Sequence, residues 1–183
     1  YGKYDKKTII PSIRYWKAKQ RIDKQIIVGL HISYRAATNA TALKLEKWIL
    51  EKCLGRQVSK CRFHYLKFSL PYGYDRLEQF GFTDDYSMAY SDMAGYRAGT
   101  SRSFTFYNIE KEKETKLTIH PLIVMDKTLR LDMKLDVESA YKYIDSLKKE
   151  CNAIGGDFTT LFHNQNVTDL NGWGEWGERF FKK

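Results

Sequence analysis

Three observations on the 183-residue chain predict an α/β fold built on a mainly parallel sheet. Short apolar runs rich in β-branched residues alternate with stretches of helical periodicity. Several of those runs are followed by a helical stretch able to serve as the crossover that a parallel return requires. No internal repeat or low-complexity linker interrupts the alternation. With 43% apolar and 15% aromatic residues the composition suits a chain that buries a core, and its length suits a single domain over 1–183.

From the start, Ile9 to Lys24 carries Ile9, Ile10, Ile13, Tyr15, Trp16 and Ile22 in a helical pattern, with Pro11 tolerable in the first turn. Gln25 to Leu30 (QIIVGL) then reads as a buried strand ending at His31. Thr38 to Leu54 is helical, with Ala42, Leu45, Trp48, Ile49 and Leu50 at helical spacing, a cap at Thr38 or Asn39, and Gly55 as its stop. The unit repeats: Val58 to Phe63 is strand-like and ends near His64, and Tyr72 to Phe80 is helix-like and stops at Gly81. Phe82 to Tyr90 could begin another strand, although its aspartates count against one. Phe104 to Ile109 and Leu117 to Ile119 bracket the charged Glu110 to Lys116, which resembles a hairpin turn between strands. Leu122 to Met125 is an apolar run closed by Asp126. Val137 to Ile154 is the clearest helix, with Ala140, Tyr143, Ile144 and Leu147 on one stripe and Gly155 and Gly156 after it. Asp157 to Phe162 is a last strand, closed by His163, and Asn171 to Lys183 reads as a terminal amphipathic helix.

Composition bounds the function. The net charge of +9 suggests an anionic partner, but acids and bases are interleaved and no base-stacking motif accompanies them. That argues against nucleic acid, while an acidic glycan or an anionic membrane surface suits the charge equally. No apolar run approaches the roughly 18 residues of a membrane span. Cys53, Cys61 and Cys151 form no C-x-x-C pair and are odd in number, which fits free buried thiols in a reducing compartment, favouring the cytoplasm, rather than disulfides or a structural zinc site. The chain opens at Tyr1 with no leader, as an excerpt of something longer would. Oligomeric state is not legible.

The four histidines are the most informative feature. Each follows an apolar strand-like segment: IIVGL then His31, CRF then His64, KLTI then His120, TTLF then His163. In parallel α/β barrels the loops after the strands share one face, where catalytic residues gather. Imidazoles there could hold a metal that activates water near neutral pH. A single histidine in such a place reads more readily as a satisfied ring at a core edge, but four of four favour a site.

GLHISYR (Gly29 to Arg35), CRFHYLKFSLPYGYDRLEQFGF (Cys61 to Phe82), DDYSMAYSDMAGYRAGTS (Asp84 to Ser101), IHPLIVMD (Ile119 to Asp126) and FTTLFHNQN (Phe158 to Asn166) resemble, in order, successive blocks of the polysaccharide deacetylase family. This is carbohydrate esterase family 4, with the NodB-homology fold, in a branch found in bacterial surface-polysaccharide clusters. The resemblance implies a distorted β/α barrel that binds one divalent metal, most often zinc, through an aspartate and two histidines. A water would then attack an acetyl group of a glycan substrate. The family's histidine motif is His-Ser/Thr-x-x-His; His31 matches its first histidine, Arg35 stands at the second, and His64 is the candidate substitute ligand. The block at Leu70, Pro71 and Tyr72 resembles the family's Arg-x-Pro-Tyr, with Arg62 a candidate for the displaced arginine and Tyr72 for substrate contact. Leu161-x-His163 resembles the motif whose histidine protonates the leaving group, with Asn164 beside it facing substrate. The first family motif, a strand ending in Thr-Phe-Asp-Asp, is expected upstream of Tyr1, so the 183 residues alone would bind zinc weakly and turn over little. Phe82-Thr83-Asp84-Asp85 has similar letters in the wrong place and is read as a decoy.

Asp126 could orient an imidazole or simply make a turn before Lys127. Arg97, between Gly95 and Gly99, could contact substrate or an anion, or pair at the surface. Tyr72, Tyr86, Tyr90 and Tyr96 could stack on sugar rings or belong to the core. Two rival functions stay open: a non-catalytic glycan-binding or assembly module, which Arg35 favours, and a hydrolase of another amide bond.

Overall fold

The computed structural model describes residues 4–5, 26–166 and 172–181 and divides into two compact units, one of residues 1–87 and 105–119, the other of 88–104 and 120–183. The predicted helix over Ile9 to Lys24 lies outside the described residues. The fold is mixed α/β, with a five-stranded sheet, a two-stranded sheet and several helices.

In the first unit, β1 (Leu30–Ile32), β2 (Lys60–Phe63), β3 (Asp84–Asp85) and β5 (Lys113–Ile119) run parallel in that order, with β4 (Phe104–Asn108) beside β5 at the far edge. The crossovers are α1 (Ala40–Leu54) and α2 (Tyr72–Gln79). Asn39 caps α1 by accepting from the backbone N–H of Ala42, and Gly55 ends it in the left-handed conformation (φ 67°), which costs glycine little. Side chains alternate across the sheet. Leu30, Ile32, Cys61, Phe63, Leu117 and Ile119 are buried, whereas His31, Lys60 and Arg62 are not. Leu43 of α1 and Tyr74 and Leu77 of α2 add fully buried side chains. In strict parallel register His31 lies opposite Arg62, and Ile32 opposite Phe63.

Three segments depart from the sequence reading. The strand expected over Gln25 to Leu30 begins only at Leu30 and runs through His31 to Ile32, so His31 lies within it rather than after it. The charged run 110–116 is mostly strand, because Thr115 and Leu117 turn inward while Glu114 and Lys116 turn out; the turn itself is shorter, with Glu112 at φ 48°. The aspartates of β3 do not prevent pairing. Asp85 is wholly buried but accepts from the Tyr74 hydroxyl (3.0 Å), the Ser87 backbone N–H (2.9 Å) and the Ser87 hydroxyl (2.6 Å), so its lone pairs are satisfied. Asp84 pairs with Lys60 at 3.1 Å.

The second unit is built on β6 (Val124–Met125) and β7 (Thr160–Leu161), a short parallel pair joined through α3 (Val137–Ala153). Asp136 caps α3 by accepting from the Ser139 backbone N–H at 2.7 Å. Its core joins Ile123, Val124, Leu129, Ala140, Leu147 and Cys151 to Trp173 and Trp176, which flank and begin α4 (Gly174–Phe181). Arg130 lies over the Trp173 ring at 4.3 Å. After α3, a Cβ at Gly156 would sit 1.9 Å from the Ser101 hydroxyl, so this connection has room for glycine alone. The three cysteines are free and buried, and no helix among the described residues is long and apolar enough to cross a membrane.

Candidate functional site

Parallel pairing sets residues within or just past adjacent strands beside one another, and two pairs of predicted site residues meet in this way. The first lies in the first unit. His31 is central in β1 on the face away from the core, and His64 follows β2 directly. His31 Nε2 and His64 Nδ1 stand 2.8 Å apart, with the rings 4.9 Å between centroids and nearly perpendicular. The His64 Nε2 lies 3.2 Å from the Tyr4 carbonyl, which can only accept. His64 therefore carries its proton on Nε2 and turns the Nδ1 lone pair toward His31.

The loop after β1 is held by two carboxylates distant in sequence. Glu46 of α1 accepts from the Ser33 backbone N–H (3.1 Å) and hydroxyl (2.5 Å). Asp5 accepts from the successive backbone N–H groups of Tyr34 (2.7 Å) and Arg35 (3.1 Å). Arg35 thus belongs to the loop through its backbone. Beside His31, a cleft of about 240 Å³ is lined by Lys60, Arg62 and Tyr86 among others. Burial opposes the charge on Lys60, but bonds to Asp84 and Tyr86 outweigh it and hold its pKa above the ordinary value. Burial, then Asp85 and Asp84, push the Cys61 thiol well up, so it stays protonated and is no nucleophile at neutral pH.

The imidazole nitrogens are the donor type zinc takes. Two ligands of a tetrahedral zinc stand about 3.3 Å apart at the usual Zn–N length of about 2.0–2.1 Å, so the pair would accept the ion by opening slightly. Among the described residues no group of three or more His, Cys, Asp and Glu side chains could hold a metal, so they supply a two-nitrogen start to a ligand set.

The second pair lies in the second unit. Met125 is in register with Leu161, so Asp126, one residue past β6, and His163, two past β7, meet at one end of that sheet. Asp126 is 1% exposed and accepts four hydrogen bonds: from His163 Nδ1 (2.7 Å), the His163 backbone N–H (2.8 Å), Asn166 Nδ2 (2.9 Å) and the Lys127 backbone N–H (2.7 Å). Burial would raise its pKa, but the bonds from the His163 ring and backbone and from Asn166 prevail and hold it below the usual carboxylate value. An ionised carboxylate only accepts, so His163 Nδ1 carries a proton and Nε2 is the nitrogen left for exchange. The His163 side chain is 40% exposed.

Because the folded pKa of Asp126 lies below its unfolded value of about 3.9, its carboxylate stabilises the fold above roughly pH 4, and that contribution is lost as the pH falls through the folded value. Asp126→Asn is expected to flatten the fall in Tm from pH 5 to pH 3 relative to the parent, as measured by thermal denaturation. An equally steep fall would place the acid sensitivity elsewhere.

The remaining predicted residues are spread more widely. Tyr72 opens α2 and is 62% exposed. Arg97 is exposed and donates to the Ala89 carbonyl at 2.7 Å. Asn164 is exposed at the start of a 3₁₀ turn, whereas Asn166, at its end, reaches Asp126. His120 pairs through Nδ1 with the Ser103 hydroxyl at 2.8 Å. Tyr96 packs against the second core, its hydroxyl donating to the Leu147 carbonyl at 3.1 Å. Sequence reasoning missed Asn166, Glu46 and Asp5; of these only Asn166, inside a block already singled out, left a local trace. The chain matches no family model, no curated protein and no solved structure.

Proposed function

We propose that the protein is a metal-dependent hydrolase of the polysaccharide deacetylase type, a distorted β/α barrel that removes acetyl groups from an amino-sugar polysaccharide or oligosaccharide. The observation that carries this reading is the half-exposed His163 ring held through Nδ1 by the buried Asp126. Burying a carboxylate is costly unless it is fully bonded, and two of its four bonds here fix one histidine. That is how a proton-transfer group is oriented, and a glycan-binding module has no need of it.

In this reading His163 Nε2 delivers a proton to the departing amine or alcohol, and Asp126 fixes the tautomer and steadies the charged ring. His31 and His64 hold the divalent metal, most simply zinc, with Glu46 and Asp5 fixing the loop that follows His31. When bound, the metal supplies Lewis acidity that polarises the acetyl carbonyl and lowers the pKa of water. Arg62 stands beside His31 as a positioning cation, and Tyr72, Arg97 and Asn164 are assigned to substrate.

The test is acetate release from N-acetylated chito-oligosaccharides by the full-length protein, before and after chelation and zinc restoration. Release that chelation abolishes and zinc restores is expected. Oligosaccharide binding with no release under any metal would favour the second reading, a non-catalytic glycan module, which Arg35 in the place of the second family histidine supports.

A further inference from the structure

His64 is followed by two consecutive residues in the left-handed region, Tyr65 (φ 55°, ψ 20°) and Leu66 (φ 51°). Each such non-glycine residue costs on the order of 1–3 kcal/mol, a cost that glycine would avoid. Burial does not account for keeping a tyrosine here, because Tyr65 is 57% exposed. Its ring meets those of His64 (4.5 Å between centroids), Tyr4 (5.7 Å) and Tyr34 (6.1 Å), all at steep angles, and Tyr4 and Tyr34 are themselves 4.6 Å apart. Three phenol rings thus form one partly exposed cluster against the imidazole pair. Resting on the hydrolase reading above, we propose that Tyr65, backed by Tyr4 and Tyr34, is a saccharide-stacking platform that holds a pyranose ring of the substrate next to His31 and His64.

The chemistry of the cluster narrows its ligand. Aromatic faces attract cations, but Lys67 already lies 3.7 Å over the Tyr34 ring, so a cationic guest meets a like charge. The two Asp5 oxygens face backbone N–H groups of the loop. The rings themselves offer apolar faces and phenol hydroxyls, which both donate and accept. A pyranose matches both features, with C–H groups across its face and hydroxyls around its rim. The strained turn also sets the direction of the ring: a residue in the right-handed region would aim its side chain elsewhere from the same strand end.

The test is calorimetric titration of the full-length protein with N-acetylated chito-oligosaccharide, for the parent and for Tyr65→Phe, Tyr65→Ala and Tyr65→Gly, alongside their melting temperatures. Tyr65→Phe is expected to bind within about twofold of the parent, and Tyr65→Ala about tenfold more weakly, the usual worth of a stacked aromatic. Tyr65→Gly is expected to bind as weakly as the alanine variant while melting no lower than the parent, because it relieves the backbone. Unchanged affinity in the alanine variant, a glycine variant that melts well below the parent, absence of binding by the parent at several millimolar, or a preference for a nucleoside over the oligosaccharide would each overturn the platform. Acetate release with KM unchanged in Tyr65→Ala would remove the platform and leave the hydrolase. Binding that depends on Tyr65, with no acetate release under any metal, would leave the platform and remove the hydrolase.

Discussion

His163→Ala is expected to lower kcat for acetate release by roughly 10²–10⁴-fold, the usual contribution of a positioned proton donor. The ring is held through Nδ1 by a buried carboxylate, so its removal takes away the Nε2 proton. The leaving group must then depart unprotonated. Zinc content, measured by atomic absorption after gel filtration, should stay at the parent value. KM should change little, because the lost interaction belongs to the transition state. Asp126→Asn is a useful companion: it offers the ring a mixed donor and acceptor in place of an anion, so it should lower kcat while shifting the basic or acidic limb of the pH–rate profile. If His163→Ala empties the metal while turnover of the remaining loaded enzyme is normal, the role assigned here is wrong.

His31→Ala should have the opposite signature. Removing one of two converging nitrogens deletes a proposed direct ligand, and even residues one step behind a ligand cost 10–100-fold in metal affinity. A loss greater than about 100-fold in zinc affinity is therefore expected, read by competition with a chromogenic chelator, with turnover falling in proportion to occupancy. His64→Ala should follow it, since its Nδ1 faces His31 at 2.8 Å. Full zinc occupancy in His31→Ala would discard the ligand assignment, whatever its activity.

What the sequence made legible was local. Gly55 and the Asn39 cap mark the ends of α1 because both act through their own backbone neighbourhood. The strand end before His64 was readable because its run stops there, whereas β1 runs through His31 and β7 stops two residues short of His163. Strand lengths were not readable: β3 and β7 have two residues each, being set by where a neighbouring strand offers hydrogen bonds. The charged 110–116 run shows the same limit, since the solvent-facing side of a strand tolerates Lys and Glu as readily as a turn does. In the candidate site the histidines could be named, but not which would meet. Glu46 and Asp5 reach the loop after β1 from 13 and 29 positions away and carry no local signature. The left-handed turn at Tyr65 was also hidden, because nothing in the letters His-Tyr-Leu-Lys asks for positive φ.

The alternation in β1, with Leu30 and Ile32 inward and His31 outward, also sets what kind of genetic change this region can absorb. Exchanging Leu30 for another aliphatic residue leaves every side chain on its own face. Gaining or losing a single codon within the strand does not, because the two-residue period would then send an imidazole into the apolar layer and an isoleucine out of it. The register with Cys61, Arg62 and Phe63 would be offset along its length. Lineages carrying this strand are therefore expected to exchange its aliphatic letters for one another and to change its length hardly at all, with insertions collecting instead in the connections beyond the helices.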